Sequence, residues 1–210
     1  MTPQDLFHRD FALEVAIAAA VFAAVTGVML FAVGRFRRRP GTEPSRVTSH
    51  SKLELVYGVA VAAVAIFLVA NSITTNGERL SAKPSVQIDV TGFQWCWKFK
   101  YGAGPTVTGR CVDGDVPVAV VPVGQVVRFN VTSDDVIHAF WIPYLKYKTY
   151  AYPGHVNSFE ARFDRAGTYP GRCAEFCGLY HAEMQFRVRS VPPAEFQRWL
   201  AALPATGTNG

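Results

Sequence analysis

VQIDVTGFQWCWKFKY, from Val86 to Tyr101, predicts the fold of the larger part of this 210-residue chain. It is rich in β-branched and aromatic residues, which is typical of a β-strand. If the segment runs as one strand, alternation places its aromatic side chains on one face: Phe93, Trp95, Trp97, Phe99 and Tyr101. Cys96 then points outward, on the opposite face.

Further segments of the same kind follow, broken by Gly, Pro and Asp. They are VPVAVVPVGQVVRFNVTS (116–133), IHAFWIP (137–143), VNSFEARF (156–163), GTYPGRC (167–173) and MQFRVRSV (184–191). Many short strands with no helical pattern between them predict an all-β Greek-key sandwich or barrel. Only Pro192 to Leu203 predicts a helix, with two prolines at its start and an apolar face of Phe196, Trp199, Leu200 and Leu203.

The N-terminal part predicts two transmembrane helices that form a hairpin. Val15 to Val33 and Leu55 to Ile73 contain no charged residue, and each approaches the roughly 20 residues that cross a bilayer. The connecting loop is basic, as cytoplasmic loops are, with Arg35, Arg37, Arg38, Arg39, Arg46 and Lys52 against a lone Glu43. Both termini are therefore expected outside the cytoplasm.

The first span is expected to be retained rather than cleaved, because its flank, MTPQDLFHRD, lacks the basic stretch of a signal peptide. The expected organisation is a hairpin over 1–75, an outer domain over 76–205 and a short tail over 206–210. The net charge is +5, but residues 1–75 hold 7 Lys/Arg and 5 Asp/Glu, and residues 76–210 hold 14 and 11. Because the excess of positive charge is small in both parts, the sequence disfavours nucleic acid as a partner.

A cluster of metal ligands lies in YPGRCAEFCGLYHAEM, Tyr169 to Met184. Cys173, Cys177, His181 and Met184 supply two thiolates, an imidazole and a thioether, donors that favour copper over magnesium or calcium. His138, in an apolar strand, is a candidate fifth ligand. Zinc stays open, since two cysteines four positions apart followed by a histidine is a zinc spacing. A disulfide between the cysteines, or plain core roles for His138 and Met184, also stay open.

These residues, with TGFQWCW (Thr91 to Trp97), resemble those of cytochrome c oxidase subunit II. The resemblance covers nearly the whole chain and implies a cupredoxin β-barrel with a binuclear copper A centre. Both cysteines then bridge two copper ions. One ion also binds His138 and Met184, and the other binds His181 and the backbone carbonyl of Glu175. The Glu175 side chain is further implied to reach magnesium at the catalytic subunit, an ordinary loop carboxylate being the alternative.

The resemblance implies a subunit of a bacterial cell-membrane oxidase, with its copper domain on the outer side. It takes electrons from a soluble or tethered cytochrome c and passes them to the haem-copper catalytic subunit I, which reduces oxygen to water coupled to proton translocation. Trp95 is implied where electrons enter, unless it is a core residue. Glu54 is implied at the mouth of a proton path, unless it merely anchors a helix.

Two other functions stay open: a nitric-oxide or nitrous-oxide reductase component with the same centre, and a non-catalytic copper carrier. A quinol oxidase subunit is disfavoured because the copper ligands are present. An acidic surface for a basic cytochrome is limited to Asp113, Asp115, Asp134 and Asp135, which turn chemistry also explains.

The remaining cysteines, Cys96 and Cys111, are expected to form a disulfide. They lie in the outer domain, where thiols are readily oxidised, and they are an even number once two thiols serve the metal. Gly102, Gly104 and Pro105 between them allow the chain to turn back. Two free, partly buried thiols are the alternative.

Overall fold

The computed structural model describes residues 3–37, 41, 47, 49–77, 83–114 and 116–204, apart from the side chains of residues 3–5, 76, 77 and 113. The chain divides into a helical unit, residues 6–78, and a β-rich unit that begins at residue 79. Asp115, much of the basic loop and residues 205–210 therefore lie outside the described residues.

The helical unit consists of two antiparallel helices, α1 (Pro3–Arg35) and α2 (Ser51–Gly77). Their apolar stretches, Leu6–Arg35 and Ser51–Thr75, are long enough to cross a bilayer, and their side chains are not buried by protein. Polar contacts join the start of α1 to the end of α2, since Arg9 Nη2 donates to Thr75 Oγ1 at 2.7 Å. The prediction of two long apolar helices is confirmed.

In its described residues, the β unit contains ten strands and a C-terminal helix. The strands are β1 (Val86–Phe93), β2 (Cys96–Tyr101), β3 (Thr106–Thr108), β4 (Val118–Pro122), β5 (Val126–Ser133), β6 (His138–Ile142), β7 (Tyr147–Ala151), β8 (Asn157–Arg162), β9 (Gly167–Cys173) and β10 (Gln185–Val191). They form two five-stranded sheets, in the orders β3-β2-β1-β5-β8 and β4-β10-β9-β6-β7. The expected all-β cupredoxin-like architecture is confirmed.

Aromatic side chains fill the space between the two sheets. Phe140 of β6 stacks on Phe186 of β10 with ring centroids 4.3 Å apart. Trp97 of β2 packs edge-on against both rings, at 5.3 and 5.6 Å. All three are essentially inaccessible to solvent. Burying rings of this size supplies much of the apolar area that stabilises a domain of this length.

The segment from Val86 to Tyr101 is a hairpin, not one strand, so the predicted alternation is wrong across its middle. Phe93 pairs with Cys96, which leaves Gln94 and Trp95 as a two-residue turn. Because the chain turns there, residues before and after the turn do not alternate as they would in one continuous strand. Trp97, Phe99 and Tyr101 point into the core as expected, whereas Phe93 lies outward, with Lys98 Nζ 5.1 Å from its ring centroid.

Cys96 lies on the predicted face, the one that its strand partner Phe93 also occupies, but the expected exposure is wrong, because its side chain is only 2% exposed. A short 3-10 turn at Cys111–Asp113 covers it, and Cys96 forms a disulfide with Cys111. The predicted pairing is therefore confirmed, and it lies inside the domain rather than on a wet face.

The C-terminal helix, α3 (Pro193–Ala202), is confirmed. Phe196 is buried and Trp199 packs against Tyr101, with centroids 5.1 Å apart. The sequence did not predict β3 and β7, since β3 has only three residues and β7 is rich in lysine and tyrosine.

Candidate metal centre

Four of the predicted donors lie on the loop that connects β9 to β10. Cys173 ends β9 and Met184 directly precedes β10. The Cys173 amide donates to the Met184 carbonyl at 2.9 Å, which closes the loop at its base. Cys173 and Cys177 are each 4% exposed and Met184 is fully buried. The fold therefore holds two thiols and a thioether in a dry pocket.

His138 reaches this loop from the neighbouring strand. β6 pairs with β9 so that Phe140 lies opposite Cys173, and His138 shares the face of Phe140 because it is two residues away. His138 is fully buried. Its Nδ1 lies 3.9 Å from Cys173 Sγ.

The predicted donor atoms converge. The two Sγ atoms of Cys173 and Cys177 are 3.9 Å apart. Cys173 Sγ also lies 3.2 Å from the Glu175 carbonyl oxygen. Cys177 Sγ lies 3.5 Å from His181 Nδ1 and 3.7 Å from Met184 Sδ. Each thiol thus has one imidazole and one weaker donor beside it.

This donor set suits a soft or borderline metal ion. Ligand atoms of His138, Cys173 and Cys177 all lie within 4.8 Å of one another, a spacing that can hold a metal ion. A thioether and a backbone carbonyl beside two thiolates are foreign to structural zinc sites, which are closed by cysteine and histidine. No carboxylate oxygen takes part in this group, which disfavours calcium and magnesium at the same position. The residues fit copper.

Asp135 orients the buried histidine. Its Oδ1 lies 2.9 Å from His138 Nε2. An ionised carboxylate only accepts hydrogen bonds, so Nε2 carries the proton and Nδ1 presents its lone pair to the thiol. The same carboxylate accepts from the amides of Gln94 and Val136, both at 2.6 Å. The sequence placed Asp135 in a candidate acidic patch, with turn chemistry as the alternative, and its position three residues before His138 was the available signal.

Trp95 contacts the metal loop directly. Its Nε1 donates to the Cys177 carbonyl oxygen at 3.1 Å, and Gln94 Nε2 donates to the same oxygen at 2.8 Å. The Trp95 ring is half-buried and packs edge-on against Tyr180, with centroids 4.9 Å apart. Trp95 is therefore neither a core residue nor a fully exposed one. Part of its side chain is accessible to solvent, and its indole N–H contacts Cys177.

Two glycines make room for these contacts. A Cβ at Gly92 would lie 2.9 Å from the His138 ring, closer than real Cβ atoms approach a neighbour. Gly178 has a φ of +117° and would place a Cβ 3.2 Å from Trp95 Nε1. Sequence analysis missed both roles, because a long-range close approach leaves no local pattern.

Hydrogen bonding shifts the pKa values of the buried groups. Burial alone would lower the pKa of His138, but contacts with the Cys173 thiol and the Asp135 carboxylate outweigh burial and raise it. Burial alone would raise the pKa of Cys173, but the contact with His138 outweighs burial and lowers it. Burial would likewise raise the pKa of Asp135, but hydrogen bonds from the Gln94 amide and His138 lower it. Burial raises the pKa of Cys177 to about 12, helped by its neighbour Cys173. Without metal, Cys173 therefore loses its proton before Cys177 does.

The other predicted residues lie apart from this cluster. The Glu175 side chain is half-buried, and no described residue forms a hydrogen bond with its carboxylate. Glu54 lies in the first turn of α2, where its Oε1 accepts from the His50 amide at 3.1 Å. Asp134 forms an ion pair with Lys98 at 2.7 Å. The expected acidic patch thus has one paired member and one, Asp135, turned to His138. Asp115 and the Asp113 side chain lie outside the described residues.

Known sequences resemble this chain along nearly its whole length. The profile of the family described as cytochrome C oxidase subunit II, periplasmic domain, matches residues 107–191. A probable cytochrome c oxidase subunit 2 of Streptomyces avermitilis is 32% identical over 239 residues, covering 93% of this chain and 74% of the relative. A protein of the same description from Rickettsia conorii is 28% identical over 225 residues, covering 99% and 70%.

Solved structures resemble the β unit. The periplasmic domain of subunit II of the cytochrome oxidase (CoxB) of Bradyrhizobium japonicum aligns with a TM-score of 0.53 at 34% identity, covering 58% of this chain and 95% of that one. A mixed-disulfide intermediate between a thioredoxin-like protein and a subunit II of cytochrome c oxidase aligns with a TM-score of 0.51 at 35% identity, covering 58% and 93%.

Proposed function

Because the chain belongs to the cytochrome c oxidase subunit II family, and so is a membrane-anchored subunit of an oxidoreductase complex, we propose that it carries a binuclear copper A centre. This centre accepts electrons from a cytochrome c and passes them to the haem-copper catalytic subunit. The observation that carries the proposal is the convergence of six donors, four from one loop, one from β6 and one backbone carbonyl.

The arrangement supports a division of the donors between two coppers. Cys173 and Cys177 would hold both coppers, since each lies beside the other and beside a different imidazole. His138 and Met184 would complete one copper, and His181 and the Glu175 carbonyl the other. Two copper ions that share two thiolates delocalise one electron, so bond lengths change little on reduction. Burial of the thiols and Met184 excludes water, which keeps reorganisation of the surroundings small.

Trp95 supports a route for electrons into the centre. Its ring reaches solvent on one side, and its indole N–H contacts the carbonyl of a bridging cysteine on the other. Gln94 and Asp135 hold the turn that carries Trp95, because the Asp135 carboxylate binds the Gln94 amide and His138 together. Electron uptake at Trp95 would therefore need no rearrangement of the loop.

The proposed membrane arrangement follows from the helices and the charges of their connection. Residues 1–75 form the hairpin and residues 76–205 the copper domain, with both termini and the copper domain outside the cytoplasm. Arg35, Arg37 and Lys52 are basic residues of the proposed cytoplasmic side. Glu54 then lies at that side of α2, where a carboxylate can take up protons for translocation by the complex.

The proposed partners are the catalytic subunit I, a cytochrome c and the lipid bilayer. Glu175 would place its backbone carbonyl on copper and its half-buried carboxylate on magnesium at the boundary with the catalytic subunit. The β unit offers little acidic surface at Asp134 and Asp135 for steering a basic donor. A tethered cytochrome, which needs little steering, suits this surface best.

Purification of the intact complex tests the proposed function. We expect a copper-containing subunit II together with a haem-bearing subunit, and oxygen consumption driven by reduced cytochrome c. The matched control is the complex with Cys173→Ser, which should assemble but lose this activity. A complex that reduces nitric or nitrous oxide instead of oxygen, or a chain that purifies with copper but without haem partners, would contradict the proposal.

A further inference from the structure

A cavity of about 490 Å³ lies in the β unit, apart from the metal donors. It is bounded by β4 and β10, by α3 and by the stretch around β3, and none of the metal donors lines it. Its polar lining consists of four side chains, Thr108, Thr168, Arg187 and Arg189, and its apolar lining includes Val118 and Trp199. Cavities of this size typically accommodate small organic molecules.

Two arginines bring positive charge to one side of the cavity. Arg187 and Arg189 alternate with the buried Val188 on β10, so their side chains share one face of the sheet. Arg189 lies opposite Thr168 of β9 in the strand register, which places a hydroxyl beside the guanidinium. Two guanidinium groups on one face give this side of the cavity a positive potential, which favours an anion.

Neither guanidinium has a hydrogen-bond or ion-pair partner among the residues that the structure describes. Other arginines of the β unit do: Arg128 contacts Glu160 at 2.6 Å and Arg162 contacts Asp164 at 2.6 Å. Arg189 Nε is in addition buried and unsatisfied. A buried donor without an acceptor costs about 1–3 kcal/mol, and such groups in folded proteins point to an unseen acceptor.

We propose that this cavity binds a small organic oxyanion, a phosphate ester or carboxylate, through Arg187 and Arg189. A guanidinium presents paired N–H donors that match the oxygens of carboxylates and phosphates. Thr168 offers a further hydroxyl donor. Trp199 and Val118 provide an apolar wall for the organic part, so an ester is preferred over a bare inorganic anion.

The test uses the full-length chain, loaded with copper in detergent, and two probes: phenyl phosphate and inorganic phosphate. Isothermal titration should show saturable binding of one phenyl phosphate per chain, and weaker binding of inorganic phosphate. Arg187→Gln and Arg189→Gln should each weaken phenyl phosphate binding by about tenfold or more, since each removes charge-assisted hydrogen bonds. Arg165→Gln, an exposed arginine on the β8–β9 connection, is the matched control and should bind normally.

A measurement on the unmutated chain tests the proposal even if the variants fail to fold. Phenyl phosphate should protect Arg187 and Arg189, but not Arg165, from modification by phenylglyoxal, as mapped by mass spectrometry. Vesicles of anionic lipid that displace phenyl phosphate would identify the natural anion as a lipid headgroup, and vesicles that do not displace it would identify a soluble anion.

Three results would overturn the proposal. The first is the absence of saturable binding of both probes up to about 10 mM, where affinity is too weak to be specific. The second is equal weakening by Arg165→Gln and Arg189→Gln, which would show only general charge attraction. The third is unprotected modification of Arg187 and Arg189 at saturating phenyl phosphate.

Discussion

Asp135→Ala is the substitution whose effect the structure defines most sharply. The Asp135 carboxylate binds His138 Nε2 at 2.9 Å and the amides of Gln94 and Val136 at 2.6 Å. It thus links a proposed copper ligand to the turn that carries Trp95. Removing it affects both at once.

The expected loss of stability comes mainly from the buried histidine. His138 is fully inaccessible to solvent, so water cannot replace the lost acceptor at Nε2, which costs about 1–3 kcal/mol. The Gln94 and Val136 amides lie nearer solvent, and each loses a charge-assisted bond that water replaces in part. Together we expect unfolding to become easier by about 3 kcal/mol.

The assay is denaturant unfolding of the copper-free β unit, expressed without the helices as was the periplasmic domain of the relative from Bradyrhizobium japonicum. Asp134→Ala is the matched control: it removes a neighbouring carboxylate that is 52% exposed and forms one surface ion pair with Lys98. Such a pair contributes about 0–1 kcal/mol. Equal destabilisation by the two substitutions would refute the reasoning.

The pH dependence of the same difference follows from the shifted pKa values. The lowered pKa of Asp135 means that its contribution is present above the unfolded value, about 3.9, and is lost as pH falls through the folded pKa. The raised pKa of His138 means that its contribution is complete below about 6.5 and is lost as pH rises through the folded pKa. The difference between wild type and Asp135→Ala should be largest between these values, and a pH-independent difference would contradict the pairing.

Three further predictions concern other parts of the chain. Trp95→Gln should slow electron uptake from cytochrome c in stopped-flow kinetics while the copper spectrum stays intact, and Trp141→Gln, a half-buried tryptophan that stacks with Arg172, should not; equal rates in both variants would count against Trp95. If Glu54 takes up protons, Glu54→Ala and Glu54→Gln should both slow oxygen turnover while copper loading stays full. Glu54→Gln keeps an acceptor for the His50 amide, so activity retained in this variant would assign Glu54 to helix anchoring. The Cys96→Ser/Cys111→Ser double variant should unfold about 3 kcal/mol more easily, since the bond closes a loop of 15 residues, and alkylation of both cysteines in unreduced, copper-stripped wild type would show that the bond is absent.

The sequence predicted the parts of the fold that depend on local pattern. Charge-free runs of helical length predicted α1 and α2, and an apolar face at helical spacing predicted α3. The turn at Gln94 and Trp95 was missed because neither residue is a usual turn former, so alternation was carried across it. That error reversed the expected orientation of Phe93, whereas Cys96 keeps its predicted face and is buried by the 3-10 turn at Cys111–Asp113.

In the candidate site too, spacing along the chain predicted the residues that are close in sequence but not those brought together by the fold. Cys173, Cys177, His181 and Met184 lie on one loop, so their spacing alone predicted that they meet. His138 joins them through the pairing of β6 with β9, so its strand-like setting made it a candidate but its spacing from the loop could not show the contact. Asp135, Gln94 and Gly92 act through contacts between distant segments, and such contacts leave no periodicity or spacing in the chain.

Copper content and electron spin resonance of the purified chain decide whether the metal centre is binuclear. We expect two coppers per chain and a seven-line spectrum, because one unpaired electron shared equally by two copper nuclei gives seven lines. Cys173→Ser or Cys177→Ser should abolish this spectrum, and the Cys96→Ser/Cys111→Ser control should keep it. Wild-type protein that saturates at one copper with a four-line spectrum would contradict the account.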